Sequence, residues 1–355
     1  MENKLVIRAD ATTRMGAGHI MRSIALAQRW KSMPGSVTFL SYCESGELKK
    51  RIVSEGFEYI EINSPEPGDR ELAGITDFLK NGKSHEKEVW VGLDGHLFST
   101  DYHLTIREAG LRLLVIDDYN HLSFYNADII VNQNLKDSAY RYNCNSDAVK
   151  LLGTKYALIR NEFLKFRGYK RKFPDKARKI LVTMGGSDSD NNTLKALRAI
   201  KMLKDPDMDI RVVVGASNPH MKSLRSLVLS NDFDFQLLPS VNNMAPLMAW
   251  ADLAVTAGGS TCWELCFMGV PSVVVCVAEN QNEIAKNMGK MNRNRVFDTN
   301  SLSDSKAVAE VLKEMIFDKD LRIDASSIMR DEIDGYGSQR IIDFMKMKSS
   351  ESLAS

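Results

Sequence analysis

Short, nearly continuous apolar runs separated by amphipathic stretches recur along most of this chain. That is the pattern of strands buried on both faces and alternating with helices, the signature of an α/β protein. In the first half the runs are Lys4–Ala9, Ser36–Ser41, Tyr59–Ile62, Val89–Asp94, Leu113–Asp117 and Ile129–Asn132. Between the first two, Ile20, Ile24, Ala27 and Lys31 fall at i, i+4, i+7 and i+11, and Met21 and Trp30 broaden the stripe. Residues 19–32 are therefore predicted as a helix with one buried face, with Met21, Ile24, Leu26 and Trp30 in the core. A second cycle starts at Ile180–Thr183 and continues through Asp209–Gly215, Asp234–Leu238, Leu253–Ala257 and Ser272–Val277. Between the cycles, Glu162–Lys179 carries eight Lys and Arg residues and reads as a solvated linker; a role near a sugar or pyrophosphate is the competing reading.

Each half opens with the same device, a strand running into a glycine turn and then a helix. The first is Val6-Ile7-Arg8-Ala9-Asp10 followed by Gly16-Ala17-Gly18-His19; the second is Leu181-Val182-Thr183-Met184 followed by Gly185-Gly186-Ser187-Asp188. Two Rossmann-like domains facing across a cleft are expected, with ligands at the carboxyl ends of the strands. The division is residues 1–160, a linker at 161–178, and 179–355, with a helical tail at Ser338–Met347 that could return to the first domain.

Length and charge narrow the function. At about 150 residues per domain, 355 residues suggest two domains. With 47 basic against 46 acidic residues the net charge is +1, so no global field recruits nucleic acid or a membrane, and an anion must be held by local geometry. No apolar run approaches the roughly 18 residues of a membrane span, and Met1-Glu2-Asn3-Lys4 runs into Leu5-Val6-Ile7 without a signal-peptide core. Five cysteines (43, 144, 262, 266 and 276) show no paired C-x-x-C spacing, so reduced thiols in a cytoplasmic protein are expected, without a zinc site.

The most informative local feature is Ala257-Gly258-Gly259-Ser260-Thr261, between a strand and a helix through Trp263, Leu265 and Phe267. Glycines let the backbone approach an anion, and the free N–H groups of the first helical turn point at it. Ser260 and Thr261 add hydroxyls; an N-cap without ligand is the plainer reading. Glu264, one turn into an otherwise apolar helix, is suited to accept from both hydroxyls of a ribose whose phosphates lie on that turn. Asn280 and Gln281 place two amides after the next strand. Gly185, Gly186 and Ser187 form a second anion-capable turn, and Asp188-Ser189-Asp190 reads as helix caps in preference to a metal-binding Asp-x-Asp pair. No metal and no cofactor are expected.

Gly16-Ala17-Gly18-His19 lacks the third glycine of a dinucleotide fingerprint, since position 21 is Met21. What it offers is a histidine at a helix start, where the dipole disfavours imidazolium, so His19 is a candidate base. Gly16, Gly18 and Arg22 join it as substrate-contacting residues. His96 and His121 follow strand ends and are weaker candidates; His85 and His220 read as loop residues and His103 as a helix start. No Ser-His-Asp or Cys-His set has a recognisable spacing.

Together these motifs resemble the UDP-sugar hydrolases of pseudaminic acid biosynthesis, the PseG type. The resemblance rests on Arg8-Ala9-Asp10-Ala11, Gly16 to Arg22, Asn132-Gln133-Asn134, Leu151 to Tyr156, Arg160-Asn161-Glu162-Phe163, Met184 to Asp188, Ala257 to Thr261 and Ala278 to Gln281, and spans about residues 4–345. It implies a GT-B fold like that of the peptidoglycan enzyme that transfers N-acetylglucosamine to a lipid-linked acceptor. It also implies removal of UDP from UDP-2,4-diacetamido-2,4,6-trideoxy-β-L-altropyranose by water, in nonulosonate biosynthesis. The family's catalytic base carries over to His19, and its uridine and diphosphate site to Gly258, Gly259, Ser260, Thr261 and Glu264. One segment departs: the pseudaminic branch usually shows Asp-His-Tyr where this chain reads Asp94-Gly95-His96, which opens a related precursor sugar as substrate.

The expectation is a metal-independent hydrolase of a UDP-linked diacetamido sugar, inverting at the anomeric carbon. The rivals are a GT-B glycosyltransferase using a UDP-sugar donor, which calls for an acceptor or membrane-docking patch such as Leu97-Phe98, and a non-catalytic nucleotide-sugar sensor.

Overall fold

The structure is a computed structural model that describes residues 2–68, 86–134, 141–215, 217–229, 235–292 and 295–351. His85 lies outside the described residues. The chain divides into two compact units: Met1–Thr12, His19–Asn161 and Gly335–Ser355 form the first, and Thr13–Gly18 with Glu162–Asp334 form the second.

The first unit contains β1 (Glu2–Ala9), α1 (Gly18–Trp30), β2 (Gly35–Ser41), α2 (Gly46–Ser54), β3 (Glu58–Glu61), β4 (Glu86–Asp94), α3 (Thr100–Glu108), β5 (Arg112–Ile116), β6 (Ile129–Asn132) and β7 (Val149–Leu152). Its seven strands are all parallel in the order β3-β2-β1-β4-β5-β6-β7. The central strands are covered on both faces, which is why they read as unbroken apolar runs: Leu5, Val6, Leu113, Leu114, Ile129 and Ile130 have no exposed surface.

The second unit contains α4 (Asn161–Leu164), β8 (Lys179–Thr183), α5 (Asn192–Met202), β9 (Asp209–Val214), α6 (Met221–Leu229), β10 (Phe235–Pro239), α7 (Ala245–Trp250), β11 (Leu253–Ala257), α8 (Thr261–Met268), β12 (Ser272–Cys276), α9 (Asn282–Met291), β13 (Val296–Asp298), α10 (Ser305–Phe317) and α11 (Lys319–Glu332). Its sheet is also parallel, in the order β10-β9-β8-β11-β12-β13. Both sheets are doubly wound, and their order reverses between β1 and β4 and between β8 and β11, the points where such sheets bind ligands. The final helix, α12 (Gly337–Glu351), is grouped with the first unit, where Trp90 Nε1 donates to Ser349 Oγ at 3.2 Å.

Three details differ from the sequence pattern. Helix α1 is not amphipathic toward solvent: Arg22, Ser23 and Gln28 are buried along with Ile20, Ile24 and Leu26, whereas Met21 is only half-buried and Lys31 is exposed beyond the helix end. Its polar face packs into a polar interior, which periodicity alone cannot separate from water. Two strands fall outside the predicted runs: β7, whose four residues include the exposed Lys150, and β13, which has three residues. The basic segment after Glu162 is anchored: Arg171 donates to the carbonyls of Ala251, Met248 (2.7 Å) and Met268 (3.3 Å), and Tyr169 to that of Ala249 (3.1 Å).

Gly215, just past β9, packs against the Gly185-Gly186 turn so closely that a Cβ would lie 2.2 Å from the Gly186 oxygen and 2.5 Å from its Cα. Those are backbone atoms and cannot swing aside. Gly215→Ala should therefore destabilise the protein by about 1–3 kcal/mol, the usual cost of overpacking, read as a lowered midpoint in urea.

Candidate functional site

At the carboxyl end of the first sheet, three elements bring their polar residues together. Helix α1 supplies His19, Arg22 and Ser23, the end of β4 supplies Asp94 and His96, and the loop after β5 supplies Asp117, Asp118, Tyr119 and His121. Arg22 is the centre. Its Nε and Nη2 donate to the two oxygens of Asp94 at 2.8 and 2.6 Å, and its Nη1 and Nη2 to those of Asp118 at 2.6 and 3.1 Å. Four of a guanidinium's five N–H groups are thus used internally, so Arg22 sits here as a buried clamp rather than reaching toward a ligand. Ser23 Oγ adds a bond to Asp94 at 3.0 Å, and Asn134 Nδ2 one to Asp118 at 2.7 Å.

The electrostatics follow from this geometry. Burial works against the charge of Arg22, but Asp118 and Asp94 outweigh it and push its pKa above the ordinary value. Burial likewise disfavours an ionised Asp118, yet Arg22 overcomes it and pulls the carboxyl down to about 2. Asp118 is therefore a fixed anion. Its Oδ2 lies 4.0 Å from His19 Nε2 and 3.7 Å from His96 Nε2. The His19 and His96 rings meet edge to face at 5.0 Å, and burial, then His19, push His96 down to about 4, so His96 is neutral near pH 7.

Asp117 organises a second network beside the first. It accepts from Tyr142 at 2.5 Å, Tyr125 at 2.9 Å, the Asn120 N–H at 2.6 Å and His121 Nδ1 at 2.7 Å. Against the cost of burial these bonds hold it below the ordinary carboxylate range. The Asn132-Gln133-Asn134 motif is structural here: Asn132 donates to Tyr142 at 2.8 Å, Gln133 accepts from Leu158 N at 3.0 Å, and Asn134 steadies Asp118. Gly95 explains the departure at 94–96. It has φ +157° and a Cβ would fall 3.1 Å from Phe98, so the turn carries no side chain there and delivers His96 to the cluster. Phe98 is buried and only Leu97 is exposed, so the pair forms no apolar docking patch.

Among the described residues, His19, His96 and Asp118 have ligand atoms close enough together to hold a metal ion. The fit is poor: the Asp118 oxygens already accept from Arg22 and Asn134, and the guanidinium beside them repels a second cation. A cavity of about 670 Å³ opens at the other edge of this sheet, among Asn3, Val89, Arg112 and Met345, and no residue of the histidine cluster lines it.

In the second unit, the paired strands β8 and β11 both end in glycine turns. Gly185 has φ +83°, and Asp188 caps α5 with both oxygens, accepting from Asn192 N at 2.7 Å and Thr193 N at 2.9 Å; Asp190 is exposed. After β11, Gly258, Gly259, Ser260 and Thr261 lead into α8. The Ser260 side chain makes no capping bond, and Glu264 is buried in the first turn. Gln281 lies against this turn, its Oε1 3.3 Å from where a Gly258 Cβ would be and accepting from Val277 N at 3.0 Å; Asn280 is half-buried beside it. Gly16, at φ +76°, and Gly18 are grouped with this unit, and His220 bonds the Ser189 carbonyl at 2.8 Å within it. His103 is buried within α3. Burial pushes the thiols of Cys43, Cys262, Cys266 and Cys276 up, so none is an activated nucleophile.

Sequence reasoning singled out His19 and both glycine turns and assigned no role to Asp94, Asp117, Asp118, Tyr125 and Tyr142. The available signal was two adjacent aspartates at a strand end, which α/β sheets of this kind place at the ligand edge.

The fold is that of the GT-B glycosyltransferases: two parallel α/β domains, matching the crystal structure of Acinetobacter baumannii MurG with a TM-score of 0.66 at 15% identity, over 98% of this chain and 100% of that one. Residues 179–332 match the glycosyltransferase family 28 C-terminal domain. The chain is similar to the UDP-2,4-diacetamido-2,4,6-trideoxy-β-L-altropyranose hydrolase of Campylobacter jejuni, at 24% identity over 290 residues, covering 81% of this chain and 96% of the relative. An uncharacterised protein of Methanocaldococcus jannaschii is 30% identical over 289 residues, 79% of this chain, which spans only 57% of that relative's length. Among the described residues no helix is long and apolar enough to cross a membrane.

The buried imidazoles give a measurable acid sensitivity. Burial lowers His96 and His103 from 6.5 to about 4 in the folded chain. Between those values the unfolded chain binds protons that the folded chain refuses, so stability is fully present above 6.5 and falls as pH drops toward 4. Thermal denaturation across this window should show the decline, and His103→Leu should flatten its slope.

Proposed function

We propose that the chain is a UDP-sugar hydrolase in which His19 activates the water that displaces UDP from the anomeric carbon. The observation that carries this reading is His19 at the carboxyl end of the first sheet, beside a carboxylate that stays ionised. Asp118 is placed to stabilise the imidazolium formed when His19 takes a proton from water. The substrate is a UDP-linked diacetamido trideoxyhexose, as the name of the Campylobacter relative states for that enzyme. UDP is assigned to Gly258, Gly259, Ser260 and Thr261, with Glu264 on the ribose and Gly185, Gly186, Ser187, Asn280 and Gln281 as further contacts. Backbone N–H groups at a helix start meet the diphosphate charge in place of a metal. The activity belongs to nonulosonate biosynthesis of the pseudaminic kind.

A second reading, glycosyl transfer from a UDP-sugar, is favoured by the family 28 match of residues 179–332. Incubating the purified protein with a panel of UDP-2,4-diacetamido sugars and no acceptor separates the two. Hydrolysis gives free sugar and UDP together; a transferase gives neither at a comparable rate.

His19→Asn should lower kcat by roughly 10²- to 10⁴-fold, the usual worth of general base catalysis, while calorimetric UDP affinity stays as in the parent protein. A variant with near-normal turnover would remove His19 from the mechanism.

The bond that breaks is also specified. Water activated by His19 attacks carbon, so reaction in ¹⁸O-water should label the free sugar and leave UDP unlabelled. The sugar should first appear inverted, because a single displacement forms no covalent intermediate. Early NMR reads the configuration before mutarotation, and mass spectrometry of UDP reads the label. Label in UDP would mean attack at phosphorus.

A further inference from the structure

The mechanism above uses His19 and Asp118 and leaves unexplained why so many bonds are spent next door on Asp117. That carboxylate takes four donors, one of them His121 Nδ1, and so fixes a ring that touches neither Arg22 nor Asp118 in the hydrogen-bond network. What His121 does touch is Tyr119, with ring centroids 5.5 Å apart, and His96, at 5.6 Å. Tyr119 leans on His96 as well, at 4.9 Å. Behind His96 lies His19, at 5.0 Å. The rings therefore form a continuous wall: Tyr119 in front, His96 and His121 behind it, and the proposed base at its end.

Tyr119 is the exposed member. It keeps 39% of its surface open, whereas the His19 and His121 side chains keep 10% and 13%. The next residue, Asn120, has φ +56°, a left-handed conformation that asparagine adopts readily, and its N–H is tied to Asp117 at 2.6 Å. The network around Asp117 thus fixes the turn that carries Tyr119.

We propose that Tyr119, backed by His96 and the Asp117-held His121, is the platform for the sugar ring beside His19, and that it selects sugars presenting an apolar face. This rests on the UDP-sugar hydrolase reading and adds the residue that reads the sugar. The exposed member of the wall is an aromatic ring, so it suits the C–H face and methyl substituents of a deoxygenated, acetamido-bearing sugar better than a ring studded with hydroxyls. It also gives His96 a task that a neutral imidazole can perform: it fills the space between platform and base without adding a cation where His19 must accept a proton.

The test uses the full chain and whichever UDP-diacetamido sugar of the panel it turns over fastest. Tyr119→Ala should raise KM by roughly 5- to 30-fold, the range expected for losing one aromatic contact and its buried area. Tyr119→Phe, which keeps the ring, should retain a near-normal KM. The inhibition constant of UDP alone, which has no sugar to place, should be the same in all three proteins, and so should the thermal midpoint of Tyr119→Phe. A parallel arm compares a 6-deoxy UDP-sugar with its 6-hydroxy counterpart; the preference for the former should shrink in Tyr119→Ala. An unchanged KM in Tyr119→Ala overturns the platform while leaving the hydrolase reading in place, as does an equal weakening of UDP and UDP-sugar. A parent protein that binds UDP but releases it from no sugar overturns the hydrolase reading, and the platform with it.

Discussion

One buried guanidinium between two carboxylates sets the geometry of the first unit's ligand edge. Arg22 comes from the first turns of α1, Asp94 from the end of β4 and Asp118 from the loop after β5, so the clamp joins three elements that the sheet alone would leave free to splay. Removing one member of such a buried set typically costs about 3–5 kcal/mol, because the remaining charges lose their partner without regaining water. That penalty makes the arrangement nearly all-or-none. It also decides where His19 lies, since the histidine is three residues before Arg22 on the same helix and shares its face. The catalytic candidate is therefore positioned by a residue that need not touch the substrate.

The second unit solves a different problem with a different device. On the proposed reading a diphosphate is met by donors rather than by a metal: β11 ends in a glycine turn that runs directly into α8, whereas after β8 the first N–H groups of α5 are already capped by Asp188. No lysine or arginine is required at the turn itself. The requirement falls on the backbone: Gly215 must lack a side chain so that Gly185 and Gly186 can close their turn, and Gly258 has the Gln281 side chain packed close against it. The contrast between the units is chemical. One is rich in buried carboxylates and imidazoles, which suit proton transfer and a carbon that gains positive character; the other is built of N–H groups, which suit an anionic leaving group.

Much of this was legible in the residues. Parallel strands covered on both sides are continuous apolar runs, so most of the strands stand out, and Gly-Gly-Ser-Thr between a strand and a helix is a local signal that needs no tertiary knowledge. The clamp was not legible, because Asp94 and Asp118 lie 72 and 96 residues from Arg22 and nothing local marks an arginine on α1 as internal. The same holds for Tyr142, whose bond to Asp117 spans 25 residues. α1 shows the limit most clearly. Its apolar stripe was readable, but the burial of Arg22, Ser23 and Gln28 on the other side of the helix was not.

The adjacent aspartates show how one strand end can serve two networks. Past the end of β5, Asp117 turns to Tyr125, Tyr142 and His121 while Asp118 turns to Arg22, His19 and His96. Each carboxylate then governs a different imidazole. Asp117 bonds His121 directly at 2.7 Å and holds it still, whereas Asp118 stands 4.0 Å from His19, too far for a hydrogen bond. A base bonded tightly to its carboxylate would be fixed before substrate arrives. On the proposed reading, the gap leaves His19 room to settle against water and substrate. On the proposed reading, the immobile histidine serves recognition and the less constrained one serves chemistry. That division follows from the direction in which two neighbouring carboxylates point.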